Sequence, residues 1–278
     1  MDEPQILLSG VVFGESPRWH DGRLWFSDWG AREVVTVDLA GSRDVVQRMP
    51  TFPFSLDWLP DGRLLIVSSE LQRQEPDGSL VTHADLSHLA AGWNEIVVDG
   101  RGNAYLNQVG FDLMGGAEPT SGTIALATPD GSSREVADAV WFPNGMAVTP
   151  DDSTLIVAES YRNRLTAFDI DQDGDLSHRR VWADLGTDVP DGICMDEEGA
   201  IWYADVPNRH CVRVREGGEV LQTITVDRGC FSCALGGPDG RTLFIVATQW
   251  RGPEHMVQGE PTGQVLTVDV ASAHAGHP

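Results

Sequence analysis

Basic residues are scarce in this 278-residue chain: 19 Lys and Arg stand against 42 Asp and Glu, a formal charge of −23. Such an imbalance repels phosphate backbones and anionic lipid headgroups, which sets nucleic-acid and membrane-surface roles aside. Long apolar runs are missing as well. The stretch over residues 6–13 is interrupted by Ser9 and Gly10 and falls far short of the ~18 residues of a membrane span. The start, Met-Asp-Glu-Pro, lacks the positive region of a secretory signal, so a cytoplasmic location is expected. Cysteine is sparse: Cys230 and Cys233 form a lone CxxC with no second pair at zinc spacing, and reduced, packed thiols are expected.

Several catalytic signatures are absent. Gly14-Glu-Ser-Pro-Arg18 has the wrong frame for a nucleophile elbow, and Gly100-Arg-Gly-Asn-Ala104 has neither the third glycine nor the helix of a dinucleotide fingerprint. No histidine pair shows helical metal spacing, and His274 and His277 sit in a tail, residues 271–278, that is expected to fray.

What the chain does contain is 41% hydrophobic residues, spread without a long polar tract, which is the composition of a folded protein. It also contains a repeat. A short apolar run, a turn rich in Asp and Gly, and a second apolar run recur six times, with turn positions at Gly22, Gly62, Gly102, Asp152, Gly199 and Gly240. The steps of 40, 40, 50, 47 and 41 residues match the blade period of a propeller. Each phrase reads as a β-hairpin, because Asp and Gly tolerate the positive φ of the turn and β-branched residues flank it. Most hairpins are followed by a third alternating strand. The last repeat runs out of chain after its third strand, while residues 5–9 form a strand with no partner of their own. The expectation is a single all-β domain over residues 1–278, a six-bladed β-propeller with four-stranded blades whose N-terminal strand closes the last blade. Closure removes the open sheet edge that would otherwise template aggregation.

The first strand of every blade lines the central channel, so equivalent positions of the repeats converge there. These are Glu15, Ser55, Asn94, Asn144, Asp191 and Ser232, all bearing oxygen. Glu15, Asn94, Asn144 and Asp191 offer two anionic and two neutral oxygen donors, which suits a hard divalent cation. Asn and Asp also open strands simply because they cap turns. The ends of the second strands, at Asp28, Asn107, Gln108, Glu159 and Asp205, fall near the same mouth and read first as turn residues.

Gly14-Glu-Ser-Pro-Arg-Trp19, Trp93-Asn-Glu-Ile-Val-Val-Asp99, Phe142-Pro-Asn-Gly-Met-Ala147 and Pro190-Asp-Gly-Ile-Cys-Met-Asp196 resemble motifs of the senescence-marker-protein, gluconolactonase and luciferin-regenerating-enzyme family, the regucalcin-like propellers. The resemblance runs in order from about residue 14 to about residue 250. It implies one divalent cation held by Glu15, Asn144 and Asp191, with Ca²⁺ first and Zn²⁺, Mg²⁺ or Mn²⁺ as alternatives. It also implies a substrate- or water-contacting asparagine at Asn94. Sugar-lactonase members carry an arginine two residues earlier, where this chain has Gly92. That departure weakens the case for sugar lactones, and Trp93, Phe111 and Trp141 suggest a more apolar ring, with Asn107 and Glu159 behind the ligands.

The function expected is a metal-dependent lactonase acting on a small molecule, in which the cation activates carbonyl and water and Asp191 takes the proton. Asn94 orients the water or the developing oxyanion. The rivals are a non-catalytic calcium-binding or interaction propeller, and a related propeller enzyme acting on a phosphotriester or specialised metabolite.

Overall fold

A computed structural model describes residues 3–89, 92–253, 256 and 260–278. Its strands form six four-stranded antiparallel sheets, each one blade. The innermost strands are Gly14–His20, Ser55–Trp58, Trp93–Val98, Pro143–Val148, Pro190–Met195 and Gly229–Gly236, in blades 1 to 6. Within blades 1 to 5 the chain steps outward strand by strand, mostly through short turns, but in blade 3 residues 109–121 separate Ala104–Gln108 from Gly122–Ala127. All six turn positions identified from the repeat have positive φ, between 56° at Asp152 and 86° at Gly102. The hairpin chemistry of Asp and Gly is therefore used at every turn of the repeat.

Blade 6 joins the two ends of the chain. Its fourth, outer strand is Gln5–Val11, paired antiparallel with Gly263–Asp269 from Gln5 opposite Thr267 to Val11 opposite Gly263. The expected closing strand is thus present and two residues longer than its apolar pattern suggested. The tail, expected to fray, is instead pinned: His277 bridges Val148, His274 bridges Asp196, and Ala275 N–H donates to the Met195 carbonyl at 3.1 Å. Backbone donors and acceptors at the ends of the inner strands of blades 4 and 5 find partners there, an outcome that a small, polar composition does not advertise.

The core lies between neighbouring blades. Alternate residues of each strand face one adjacent blade or the other, and both sides are apolar, as in the cluster of Cys194, Trp202, Cys233, Leu235, Leu243 and Ile245 between blades 5 and 6. All four cysteines are free and buried, as expected for packed thiols. A 3₁₀ segment, Ser160–Arg162, follows the second strand of blade 4. No helix among the described residues is long and apolar enough to cross a membrane.

Candidate active site

Irregular pairing at the ring centre aims the oxygen donors. In blades 1, 3, 4 and 5 the ladder between first and second strands slips at Glu15/Arg18, Trp93/Glu95, Pro143/Met146 and Pro190/Ile193. Such bulges bend a strand and re-aim a side chain. They fall where Glu15, Asn94, Asn144 and Asp191 leave the backbone; blade 6 slips likewise at Cys230/Ser232, whereas Ser55 in blade 2 pairs regularly with Val67. The glycines after two of the donors have a steric reason. A Cβ on Gly192 would overlap Ser232 Oγ, and one on Gly145 would overlap the Ile193 nitrogen, so Asn-Gly and Asp-Gly let adjacent inner strands approach closely.

Glu15, Asn94, Asn144 and Asp191 all line one pocket of about 930 Å³. Ser55 and Ser232 do not line it. The Ser55 hydroxyl donates to the Asn94 carbonyl at 2.7 Å and to Glu95 Oε1 at 3.1 Å, and Ser232 packs beneath Gly192.

The electrostatics of this floor are unbalanced. Burial pushes the Glu15 carboxyl well above its ordinary pKa, and the neighbouring Asp191 and Glu95 push it further. Burial likewise raises Asp191, helped by Glu95 and Asp205, while a side-chain hydrogen bond with Asn144 works the other way. Asp191 Oδ1 is buried without a hydrogen-bond partner. The six inner strands carry four carboxylates, buried at Glu15, Asp57 and Glu95 and half-buried at Asp191, against one arginine, Arg18. Arg18 is committed below the floor: Nη2 donates to the Ile96 carbonyl at 2.7 Å and to Glu95 Oε2 at 3.5 Å, and Nε lies 3.8 Å from Asp57. A buried, orphaned carboxylate oxygen beside a second carboxylate and two carboxamides fits a hard divalent cation, both by donor chemistry and by charge.

The carboxylates at the ends of the second strands do different work. Asp28 accepts the Phe13 N–H at 3.1 Å, Glu159 the Trp141 N–H at 2.8 Å and Asp205 the Val189 N–H at 2.8 Å. Each thereby fixes the chain as it enters the strand that carries Glu15, Asn144 or Asp191. Glu159 also accepts from Arg164, Arg179 and Thr166, so it stands behind the site rather than in it. Asn107 Nδ2 donates to the Asn144 carbonyl at 2.7 Å. Asp188, Asp205 and His210 form a further cluster with ligand atoms within 4.8 Å of one another. Their oxygens are already engaged by Tyr203, Asn208, His210 and the Val189 N–H.

Two of the expected wall residues are misplaced. Trp93 is 1% exposed and packed in the core with Leu71, Leu86 and Leu106, because alternation along the strand turns it away from the channel that Asn94 faces. Trp141 does not line the pocket, and its ring lies under the Arg162 guanidinium, 4.4 Å from centroid to Cζ. Phe111 does line it. The wall is otherwise built from residues whose pattern reads as core: Phe13, Trp29, Phe142, Tyr161, Phe231 and Trp250. One signal was available. Phe13, Pro53, Gly92, Phe142 and Val189, each two residues before its blade's donor position, all face the pocket.

A family model described as an SMP-30/gluconolactonase/LRE-like region matches residues 13–249. Regucalcin of Xenopus laevis is 27% identical over 256 residues, covering 87% of this chain and 85% of that protein. Regucalcin of Homo sapiens is 25% identical over 278 residues, covering 95% and 92%. Among solved structures, the calcium-binding protein regucalcin from Agrobacterium tumefaciens superposes with a TM-score of 0.83 at 23% identity, covering 100% of this chain and 96% of that one. A luciferin-regenerating enzyme gives 0.83 at 18% identity, covering 98% of each chain. A gluconolactonase from Xanthomonas campestris gives 0.74 at 23% identity, covering 96% and 95%. At these identities the structural matches speak for the fold.

Proposed function

The chain belongs to the SMP-30/gluconolactonase/LRE-like family, and from that premise we propose that it is a divalent-metal-dependent hydrolase that opens a lactone. The observation that carries the reading is the orphaned Asp191 Oδ1, buried beside Glu15, Asn94 and Asn144 at the base of an open pocket. Glu15, Asn144 and Asp191 would hold the cation, which when bound supplies Lewis acidity towards a carbonyl and a nearby water. Ca²⁺ is the first candidate, since the donors are all oxygen and the relatives include a calcium-binding protein by name.

The protein's own contribution is placement and proton transfer. Asp191, holding the cation through one carboxylate oxygen, would take a proton from the attacking water with the other. Asn94 lines the pocket from the inner strand of blade 3, two blades from Asp191, where it would orient the attacking water or the developing oxyanion. Asn107 and the Asp28, Glu159 and Asp205 carboxylates hold the strand entries, so these donors meet the substrate without reorganising. A purely structural ion is disfavoured by the pocket, which opens directly above the donors.

The test is to strip the protein with chelator, refill it with single cations, and assay sugar, aliphatic and aryl lactones. Asp191→Ala and Glu15→Ala are expected to lose cation binding and hydrolysis while keeping a folded propeller, because the donors sit on strands held by blade packing. Full turnover by metal-free Asp191→Ala protein would refute the reading.

A further inference from the structure

Among the described residues, the positions that ring the oxygen donors are mostly apolar. Phe13, Pro53, Gly92, Phe142 and Val189 face the pocket from five blades, and Phe231 completes the ring in blade 6. Two aromatic groups rise from this ring. Phe13, Trp29, Phe231 and Trp250, on blades 1 and 6, are in mutual contact with centroid separations from 4.6 to 6.3 Å. Phe111, Phe142 and Tyr161, on blades 3 and 4, are linked at 5.8, 6.1 and 4.5 Å. Blades 1 and 6 lie opposite blades 4 and 3 in a six-membered ring, so the two groups form facing walls. At the rim Met114, Tyr161 and Trp250 stay 47%, 43% and 43% exposed. Among the described residues no Arg, Lys or His lines the pocket, and its acidic members are Glu15, Asp191 and Asp112. Concave apolar surface left in water is what a hydrophobic ligand covers.

The geometry points to a substrate class: an uncharged lactone whose carbonyl meets the oxygen floor and whose extended alkyl or aryl arm lies between the two aromatic walls. This rests on the hydrolase reading above. Anionic substrates meet the Asp112 carboxylate and a net charge of −23. Most hydroxyls of a sugar lactone would be desolvated against phenyl and indole faces, since the Gln108 and Ser160 side chains that line the pocket are already engaged with Thr123, the Gly110 N–H and the Pro190 carbonyl.

The experiment uses cation-loaded protein and γ-lactones of one ring size carrying alkyl chains from methyl to nonyl, with gluconolactone as the polar comparison. Burial of each added methylene is expected to raise kcat/KM roughly threefold to fourfold over the first several carbons. Trp250→Ala and Tyr161→Ala, checked for folding by thermal melts, should each reduce that slope. A flat series, or gluconolactone turned over more efficiently than the nonyl lactone, overturns the assignment. A second readout separates this inference from the hydrolase reading: tryptophan-fluorescence titration with the matching γ-alkyl lactams. Lactam affinity that rises with chain length in a protein that hydrolyses no lactone would uphold the apolar class and reject the hydrolase. Hydrolysis accompanied by lactam affinity indifferent to chain length would do the reverse.

Discussion

Asp191 and Glu15 hold their protons more tightly in the fold than in the unfolded chain, since burial and neighbouring carboxylates raise both. The metal-free fold is therefore unpenalised below the ordinary carboxylate range of about 4 and loses stability as pH rises through it towards neutrality. A bound cation reverses that loss. Chelated protein should melt progressively lower from pH 4 to pH 8, and saturating Ca²⁺ should stabilise more at pH 8 than at pH 5. Asp191→Asn removes one buried charge, so at pH 8 the chelated variant should melt higher than chelated wild type by roughly 2–4 °C for about 1 kcal/mol. Equal melting of the two would show that the floor carries no charge penalty. Gly92 is the other informative residue. A Cβ there meets nothing within 4 Å, although its φ of +82° strains any other side chain. Gly92→Arg should cost about 1 kcal/mol of stability and raise the kcat/KM ratio of gluconolactone to an unsubstituted lactone of the same ring size roughly tenfold to a hundredfold. An unchanged ratio would detach Gly92 from specificity. The contrast between Trp93 and Phe13 shows how far single residues were legible. Both precede a donor, but Trp93 is one position away and Phe13 two, and strand alternation sends the first into the core and the second into the pocket.

At the level of the blade, the hairpins were legible because turn chemistry is local: Gly and Asp at the six repeat positions announce a backbone conformation that few other residues adopt. The bulges that aim Glu15, Asn94, Asn144 and Asp191 were not, since a slip in the ladder leaves no compositional trace. The docking of residues 271–278 was missed for a related reason. It depends on partners at Met195, Asp196 and Val148, far away in sequence. The N-terminal strand could be inferred by counting, because a third strand at the end of the chain lacked a fourth. Deleting residues 1–10 exposes the edge of Gly263–Asp269 and uncovers part of the cluster formed by Val11, Phe26, Val35, Phe244 and Val265. A large fall in melting temperature, or aggregation on size-exclusion chromatography, is the expected result. A truncated protein that melts with the full chain would show that closure contributes little.

Across the whole molecule, interior and exterior are sharply divided. The carboxylate excess is carried largely by exposed turns, whereas the space between blades is apolar and includes every cysteine of the chain. Cys194, Cys211, Cys230 and Cys233 form one group between blades 5 and 6. Burial pushes Cys194 and Cys211 well above the usual thiol range, whereas interactions with those two thiols outweigh burial at Cys233 and pull it down to about 5. Protection of the group therefore rests on access, since all four are buried. A thiol reagent should titrate no cysteine in the native protein and four after denaturation, and rapid native labelling of even one would contradict this packing.

Residues 5–11 pair with residues 263–269, about 250 positions later in the chain. At ~5–20 residues per second the earlier strand waits roughly 13 to 50 s on the ribosome before its partner is synthesised. Five blades each form from contiguous chain, but the sixth must wait for residues 263–269. Until the circle closes, the nascent protein presents two open sheet edges that a neighbouring chain on the same message could capture.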